Sequence, residues 1–295
     1  VYKYMFERER ERKRVKGASN NLGSRVHPEL ANMIYFDFFR PKTLKESCSS
    51  DRVACVSEVQ QQRFLERNDP VSNDSVNARI AFNHDCLSRV FPKGGMRNNA
   101  SNPDPMSAWA SGAQLVCLNY QTPGLPMQIN ISKFRENGSC GYLLKPAYMI
   151  DPVTPAEPGV TLLIHILSAQ QLPAPEHLKN TEVMDPFVRV SINGLPCDTL
   201  SQDTPVKENN SFNPVWDHIM KFNIHYPEVA QLTFTIYDYD REVSHFIGYS
   251  SIPLACVRQG LRSLSLYDEK GNNTSDHYYA SLCVRLKFMG LEEND

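Results

Sequence analysis

Two sets of residues in this 295-residue chain have types and spacings that chemistry could use. The first is a lone arginine. In Leu87-Ser88-Arg89-Val90-Phe91 a guanidinium interrupts an apolar run that reads as a strand, and Pro92, Lys93 and Gly94 end it. A guanidinium at a strand end either closes a structural ion pair or offers a two-pronged donor to a phosphate. The second set is oxygen-rich: Asp185 opens a strand in VMDPFV, Asn209 lies in the turn ENNSFNPVW, and Asp238 and Asp240 close a strand in YDYD. Two aspartates two residues apart share one face of an extended chain, and the ends of separate strands meet only at a rim. Calcium takes hard oxygen ligands gathered in this way, yet Asp and Asn also cap turns in any β-protein. Both readings stand on the residues alone. The chain has no HExxH, no GxSxG and no phosphate-binding GxxxxGK[ST]. His84 has no partner at catalytic spacing, Trp109 and Trp216 read as core aromatics, and Gly124, Gly138 and Gly141 read as turn residues.

The elements that must hold these residues change character in mid-chain. Residues 1–26 alternate Glu and Arg and then run into Gly, Ser and Asn, as a charged, solvated linker does. Residues 27–150 alternate apolar runs with helical or looping stretches. MIYFDFF (33–39), VACVS (53–57), LSRVF, AQLVCLNYQ (113–121) and GYLLKP (141–146) are the expected strands. Ser57 is placed to cap a helix beginning near Val59, and RIAFNHDCLSRVF reads as a helix running into a strand. Strands alternating with helices predict a parallel α/β unit. Four or so strands are half of the eight that a closed barrel takes. After a Pro-rich linker at 151–157, residues 158–291 carry short alternating runs separated by turn signals such as Asn193-Gly194 and Gly271-Asn272. That pattern predicts an antiparallel β-sandwich of seven or eight strands.

Bulk composition narrows the partners. Hydrophobic residues make up 41% of the chain, enough for real cores, and the formal net charge of −2 supplies no basic field for nucleic acid. No apolar run approaches the length of a membrane span. The eight cysteines show no CxxC pair, which suits reduced, mostly buried thiols in a cytosolic protein rather than zinc. Triplets such as Asn99-Ala100-Ser101 then read as chance glycosylation matches. The chain opens on Val1 in mid-phrase, as a piece of a longer protein would.

SAQQLP, VMDPFVRV, NNSFNPVWD, YDYD and HFIG, in that order, resemble a C2 domain of the kind that ends phosphoinositide-specific phospholipases C. Upstream, LSRVFPKG, SAWASGAQLVCLNYQTPGLPMQI and FRENGSCGYLLKPAYM resemble the second catalytic half, the Y region, of the same family, so the likeness covers roughly residues 28–291. The resemblance implies a multi-domain α/β plus all-β chain: the second half of a split TIM-type barrel followed by an antiparallel β-sandwich. It also implies that Asp185, Asn209, Asp238 and Asp240, with the carbonyl of Val183, bind calcium at a membrane-facing apex. Arg89 would hold a ring phosphate of the inositol headgroup, with Phe91 against the ring. Cys55, or Ser57 in a shifted register, would face a phosphate. Three departures stand out: Phe91 replaces a tyrosine, Ala54-Cys55-Val56-Ser57 replaces a Ser-Ser pair, and Ser244-His245 occupies a position that often carries an acid. A thiol is a poorer donor than a hydroxyl, and fewer charges weaken calcium binding. His245 is expected to be an ordinary surface histidine.

The implied activity is hydrolysis of phosphatidylinositol 4,5-bisphosphate to diacylglycerol and inositol trisphosphate in intracellular signalling. The implied setting is the cytoplasm, peripheral on the inner face of the plasma membrane. Partners would be the phosphoinositide substrate, an anionic membrane surface and the missing N-terminal half-barrel, with no nucleic acid. The family's catalytic histidines lie in that first half, so no catalytic residue is expected in this chain and it should be inactive alone. Two alternatives are a catalytically inactive scaffold that binds headgroups or proteins, and a C2 membrane module beside a remnant half-barrel. The short tail after the C2 region suits a small, delta-like or zeta-like architecture.

Overall fold

The computed structural model describes residues 29, 33–46, 48, 51–66, 74–93, 100–151, 153–175, 183–240 and 243–291. The expected linker at 1–26 lies outside them. In the first half, strands β1 (Asp37–Phe39), β2 (Arg52–Ser57), β3 (Leu87–Phe91) and β4 (Leu115–Val116) form one sheet in sequence order, with every pair parallel. Helices α1 (Glu58–Glu66) and α2 (Asp74–Asp85) link β2 to β3, and α3 (Met106–Ala110), α4 (Leu125–Arg135) and α5 (Ala147–Ile150) complete the layer. Ala54, Val56 and Val90 pack with Phe64 of α1 and Phe82 of α2. Period-two alternation then turns Cys55, Ser57, Arg89 and Phe91 to the opposite face of the sheet.

A buried polar chain sets the height of β3. Arg79 of α2 is fully buried, and burial pushes its guanidinium down to about 10. Its Nε donates to Gln61 Oε1 at 3.0 Å, Gln61 Nε2 donates to Ser111 Oγ at 2.9 Å, and the guanidinium lies 5.5 and 5.0 Å from the Phe64 and Phe82 rings. Gln114 finishes the chain: it accepts the Ser88 N–H at 2.9 Å and donates to the Asn83 carbonyl at 2.7 Å.

Several strand expectations shrink. Only Asp37–Phe39 of the 33–39 run and Leu115–Val116 of the 113–121 run are strand. The 141–146 run is not strand at all; Tyr142 and Leu144 are 81% and 89% exposed. Aromatic and apolar content resembled sheet core, but these segments have no strand beside them among the described residues. The cysteines also depart from expectation. Cys48 and Cys86 form a disulfide, and Cys140, Cys197 and Cys256 are exposed rather than buried.

The second half is a sandwich. One sheet orders β10 (His245–Pro253), β9 (Gln231–Asp238), β6 (Pro186–Asn193) and β7 (Leu200–Asp203). The other orders β11 (Gly260–Ser265), β12 (Ser281–Gly290), β5 (Val160–Gln170) and β8 (Val215–Ile224). All pairs are antiparallel. Leu162, Ile164, Val188, Phe222, Phe234 and Val284 fill the space between the sheets. Trp216 belongs to that core and donates its Nε1–H to the Pro186 carbonyl at 3.2 Å.

Helix α4 joins the halves. Ile129 packs with Trp109 and Met106, while its carbonyl accepts from Gln231 Nε2 of the sandwich at 3.2 Å. Ile131 lies so close to Gly271 that a Cβ there would meet it at 2.9 Å, and Gly271 has φ +83°. Arg135 lies 3.8 Å over the Tyr267 ring and donates Nη2–H to the Gly271 carbonyl at 2.9 Å. Arg135→Ala is expected to lower the unfolding free energy by about 1–2 kcal/mol. Urea unfolding measures this, and a midpoint unchanged from the parent would show that Arg135 does not clamp the joint.

Candidate functional site

Two sites come from the strand ends. On the open face of the parallel sheet, Cys55 is the register partner of Arg89, and Ser57 is the partner of Phe91. Leu115 of β4 flanks Arg89 on the other side. All four residues named from the sequence for phosphate or ring contact are half-buried and share this face. The Arg89 guanidinium lies 5.4 Å from the Phe91 ring centroid, an orienting cation–π contact. Among the described residues no carboxylate pairs with Arg89, so its donors are not committed to a structural ion pair.

Ser57 has a local task. Its Oγ accepts the Gln60 N–H at 3.3 Å and caps α1. Glu58 reaches across instead, its Oε2 accepting the Lys93 N–H at 2.9 Å and fixing the chain as it leaves β3. Strand order alone did not reveal this tie. The cue was present in the sequence: a Glu one residue past a cap, with a Pro-Lys exit from the next strand.

The second site is the rim of the sandwich. Asp185 Oδ1 accepts the Asn209 N–H at 2.6 Å, and the Asp185 N–H donates to Asp238 Oδ1 at 2.8 Å. The Tyr239 N–H reaches the Asp185 carbonyl at 3.0 Å, and the Asn210 N–H reaches the Met184 carbonyl at 3.1 Å. Asn209 takes the left-handed conformation, φ +53°, that lets its N–H turn inward. Asp238 is buried, while Asp240 and Val183 are exposed, each two residues from the aspartate at this corner, Asp238 and Asp185 respectively. The structure therefore brings Asp185, Asn209 and Asp238 together directly. Asp240 stands at the same rim, but Asp185, Asp238 and Asp240 are not drawn into one tight group. Among the described residues the group that is so drawn is Cys197, Asp198 and His225, at the other end of β6. Sequence reasoning passed over it because Cys197 and His225 are far apart in the chain.

Comparison with known proteins follows the same division. Residues 30–148 match the phosphatidylinositol-specific phospholipase C Y domain, and residues 160–269 match the C2 domain. The 1-phosphatidylinositol 4,5-bisphosphate phosphodiesterase delta-3 of Mus musculus is 36% identical over 272 residues, covering 90% of this chain and 34% of the relative. The delta-4 protein of the same name from Pongo abelii is 37% identical over 258 residues, covering 84% of this chain and 33% of the relative. The crystal structure of S. officinalis PLC21 superposes with a TM-score of 0.74 at 25% identity, over 88% of this chain and 33% of that one. The L. pealei PLC21 structure shares the fold with a TM-score of 0.77 at 24% identity, over 98% of this chain and 37% of that one. The chain spans about a third of the length of the curated relatives it matches. With a Y half-barrel that presents Arg89 on its open face and a C2 sandwich packed against it, the chain belongs to the phosphoinositide-specific phospholipase C family.

Proposed function

We propose that this chain is the C-terminal part of a phosphoinositide phospholipase C, hydrolysing phosphatidylinositol 4,5-bisphosphate to diacylglycerol and inositol trisphosphate. The observation that carries the reading is Arg89: a guanidinium without a carboxylate partner among the described residues, at the middle of a five-residue parallel strand and two residues short of its C-terminal end, the end where barrel active sites lie. It would bind a ring phosphate through paired N–H donors. Phe91 would lie along the apolar face of the inositol ring, and Cys55 would point to the same space. Among the described residues of the half-barrel, the histidine–carboxylate pair is His84 with Asp85 at 2.7 Å, away from Arg89. It lies at the end of α2 that feeds the start of β3, the opposite end from the substrate rim. In this reading the N-terminal half-barrel would provide proton transfer, and its strands would cover the open face.

The sandwich rim would hold calcium through Asp185, Asp238, Asp240, the Asn209 turn and the Val183 carbonyl. This donor set is all oxygen, as a hard cation requires. A bound ion would neutralise the carboxylates and link the rim to anionic lipid. That placement makes the protein peripheral, on the cytoplasmic face of the plasma membrane. A second reading, a headgroup-binding scaffold without turnover, is favoured by Cys55 and Phe91, which put a thiol and a bare ring where hydroxyls would serve.

Three outcomes test these readings. The 295-residue chain alone should release no soluble inositol phosphate from phosphatidylinositol 4,5-bisphosphate vesicles; turnover by the purified chain would overturn the assignment of catalysis to the other half. In the longer natural protein, Arg89→Gln should lower kcat/KM about ten- to hundredfold, since hydrogen bonds to charged groups contribute about 1.5–3 kcal/mol. An inactive parent that still binds headgroups would support the scaffold. Asp240→Asn should raise the calcium concentration needed for half-maximal binding to anionic vesicles several-fold, roughly as expected from the loss of one ligand charge. An unchanged calcium requirement in a vesicle sedimentation assay would exclude Asp240 from the site.

A further inference from the structure

At the end of the sandwich away from Asp185, three side chains of different chemistry converge. Cys197 and Asp198 lie in the turn between β6 and β7, and His225 directly follows β8. One ligand atom from each lies within 4.8 Å of the others. Asp198 is buried and holds the group from below. Its Oδ1 accepts the His225 main-chain N–H at 2.7 Å and meets the ring Nδ1 at 2.9 Å, while Oδ2 accepts the Tyr226 N–H at 2.8 Å. Cys197 and His225 are exposed, so an ion from solvent has a path in.

Turn anchoring accounts for Asp198 but not for its neighbours. The two main-chain bonds would tie the turn to the end of β8 whatever side chains stood at positions 197 and 225. A thiol and an imidazole beside a preset carboxylate are a different matter. We propose that Cys197, Asp198 and His225 form a binding site for a borderline-soft divalent transition metal such as zinc. Thiolate sulfur, imidazole nitrogen and carboxylate oxygen are its usual protein ligands, and water completes the fourth position. Sulfur and nitrogen donors separate this site from the all-oxygen rim at the other end. On binding, the Cys197 thiol loses its proton to solvent and its sulfur donates an electron pair to the ion. The proton released comes from the thiol, so binding of the ion is coupled to proton release. The main-chain donors to Asp198 act as the outer shell that holds the ligand in place. The consequence reaches the domain joint. Leu195 and Tyr226, beside the ligands, pack with Met149, Val229 and Tyr148 between the two halves. The ion would therefore staple the turn and the end of β8 where they meet the half-barrel.

Cobalt(II) titration of the reduced 295-residue chain tests this, because thiolate ligation gives a charge-transfer absorption band in the near ultraviolet. The expected result is one equivalent of such a band, displaced by zinc, with a zinc-dependent rise in the thermal midpoint. Cys197→Ser should abolish both the band and the rise. His225→Gln should weaken cobalt binding roughly tenfold or more. Cys140→Ser and Cys256→Ser, which remove other exposed thiols, should keep the band. The variants at 197 and 225 alter exposed side chains and leave the Asp198 main-chain bonds in place, and circular dichroism confirms their fold. No thiolate band, a band that survives Cys197→Ser, or unchanged affinity in His225→Gln would overturn the proposal.

Discussion

Helix α4 has to satisfy two cores at once. One side of it buries Ile129 against Trp109, and the other lies so close to the sandwich that a Cβ at Gly271 would meet the Ile131 side chain at 2.9 Å. The contact is directional as well as apolar, since Gln231 and Arg135 bond across it to main-chain carbonyls. Non-directional burial would allow the halves to slide; hydrogen bonds to fixed carbonyls do not. The position of the half-barrel relative to the sandwich rim follows from this wall.

The half-barrel divides its labour by strand alternation. One face of β2 and β3 packs on helices and is dry, through Ala54, Val56 and Val90. The other bears Cys55, Ser57, Arg89 and Phe91 and stays partly open. A guanidinium tolerates that face because it is not fully desolvated, whereas Arg79, on the helix side, is wholly enclosed and its charge is disfavoured by burial. Two arginines ten residues apart thus play opposite parts. Arg79 is engaged by Gln61 and two aromatic rings, while Arg89 lies beside the Phe91 ring and pairs with no carboxylate among the described residues.

The sandwich repeats one device at both ends of β6. Asp185 just before the strand and Asp198 in the turn that follows it each turn a carboxylate onto a main-chain N–H of a neighbouring segment. Eight extended residues put these ends about 26 Å apart. The surroundings then separate their chemistry. Oxygen neighbours at Asp185 suit a hard cation, and sulfur and nitrogen neighbours at Asp198 suit a softer one.

The sequence by itself determined the division into a parallel α/β half and an antiparallel sandwich of seven or eight strands, because hydrophobic period and turn residues are local signals. It also determined which residues of β2 and β3 share a face, since alternation fixes side-chain direction once a strand exists. The Ser57 cap was legible for the same reason. Strand length was not: Leu115–Val116 and the 141–146 run show that apolar content becomes sheet only where a neighbouring strand offers its N–H and C=O groups. The lack of a carboxylate partner for Arg89 among the described residues, the joining of Cys48 to Cys86, and the meeting of Cys197 with His225 were all decided by tertiary structure. Each depends on distances between segments remote in the chain, which no local pattern encodes.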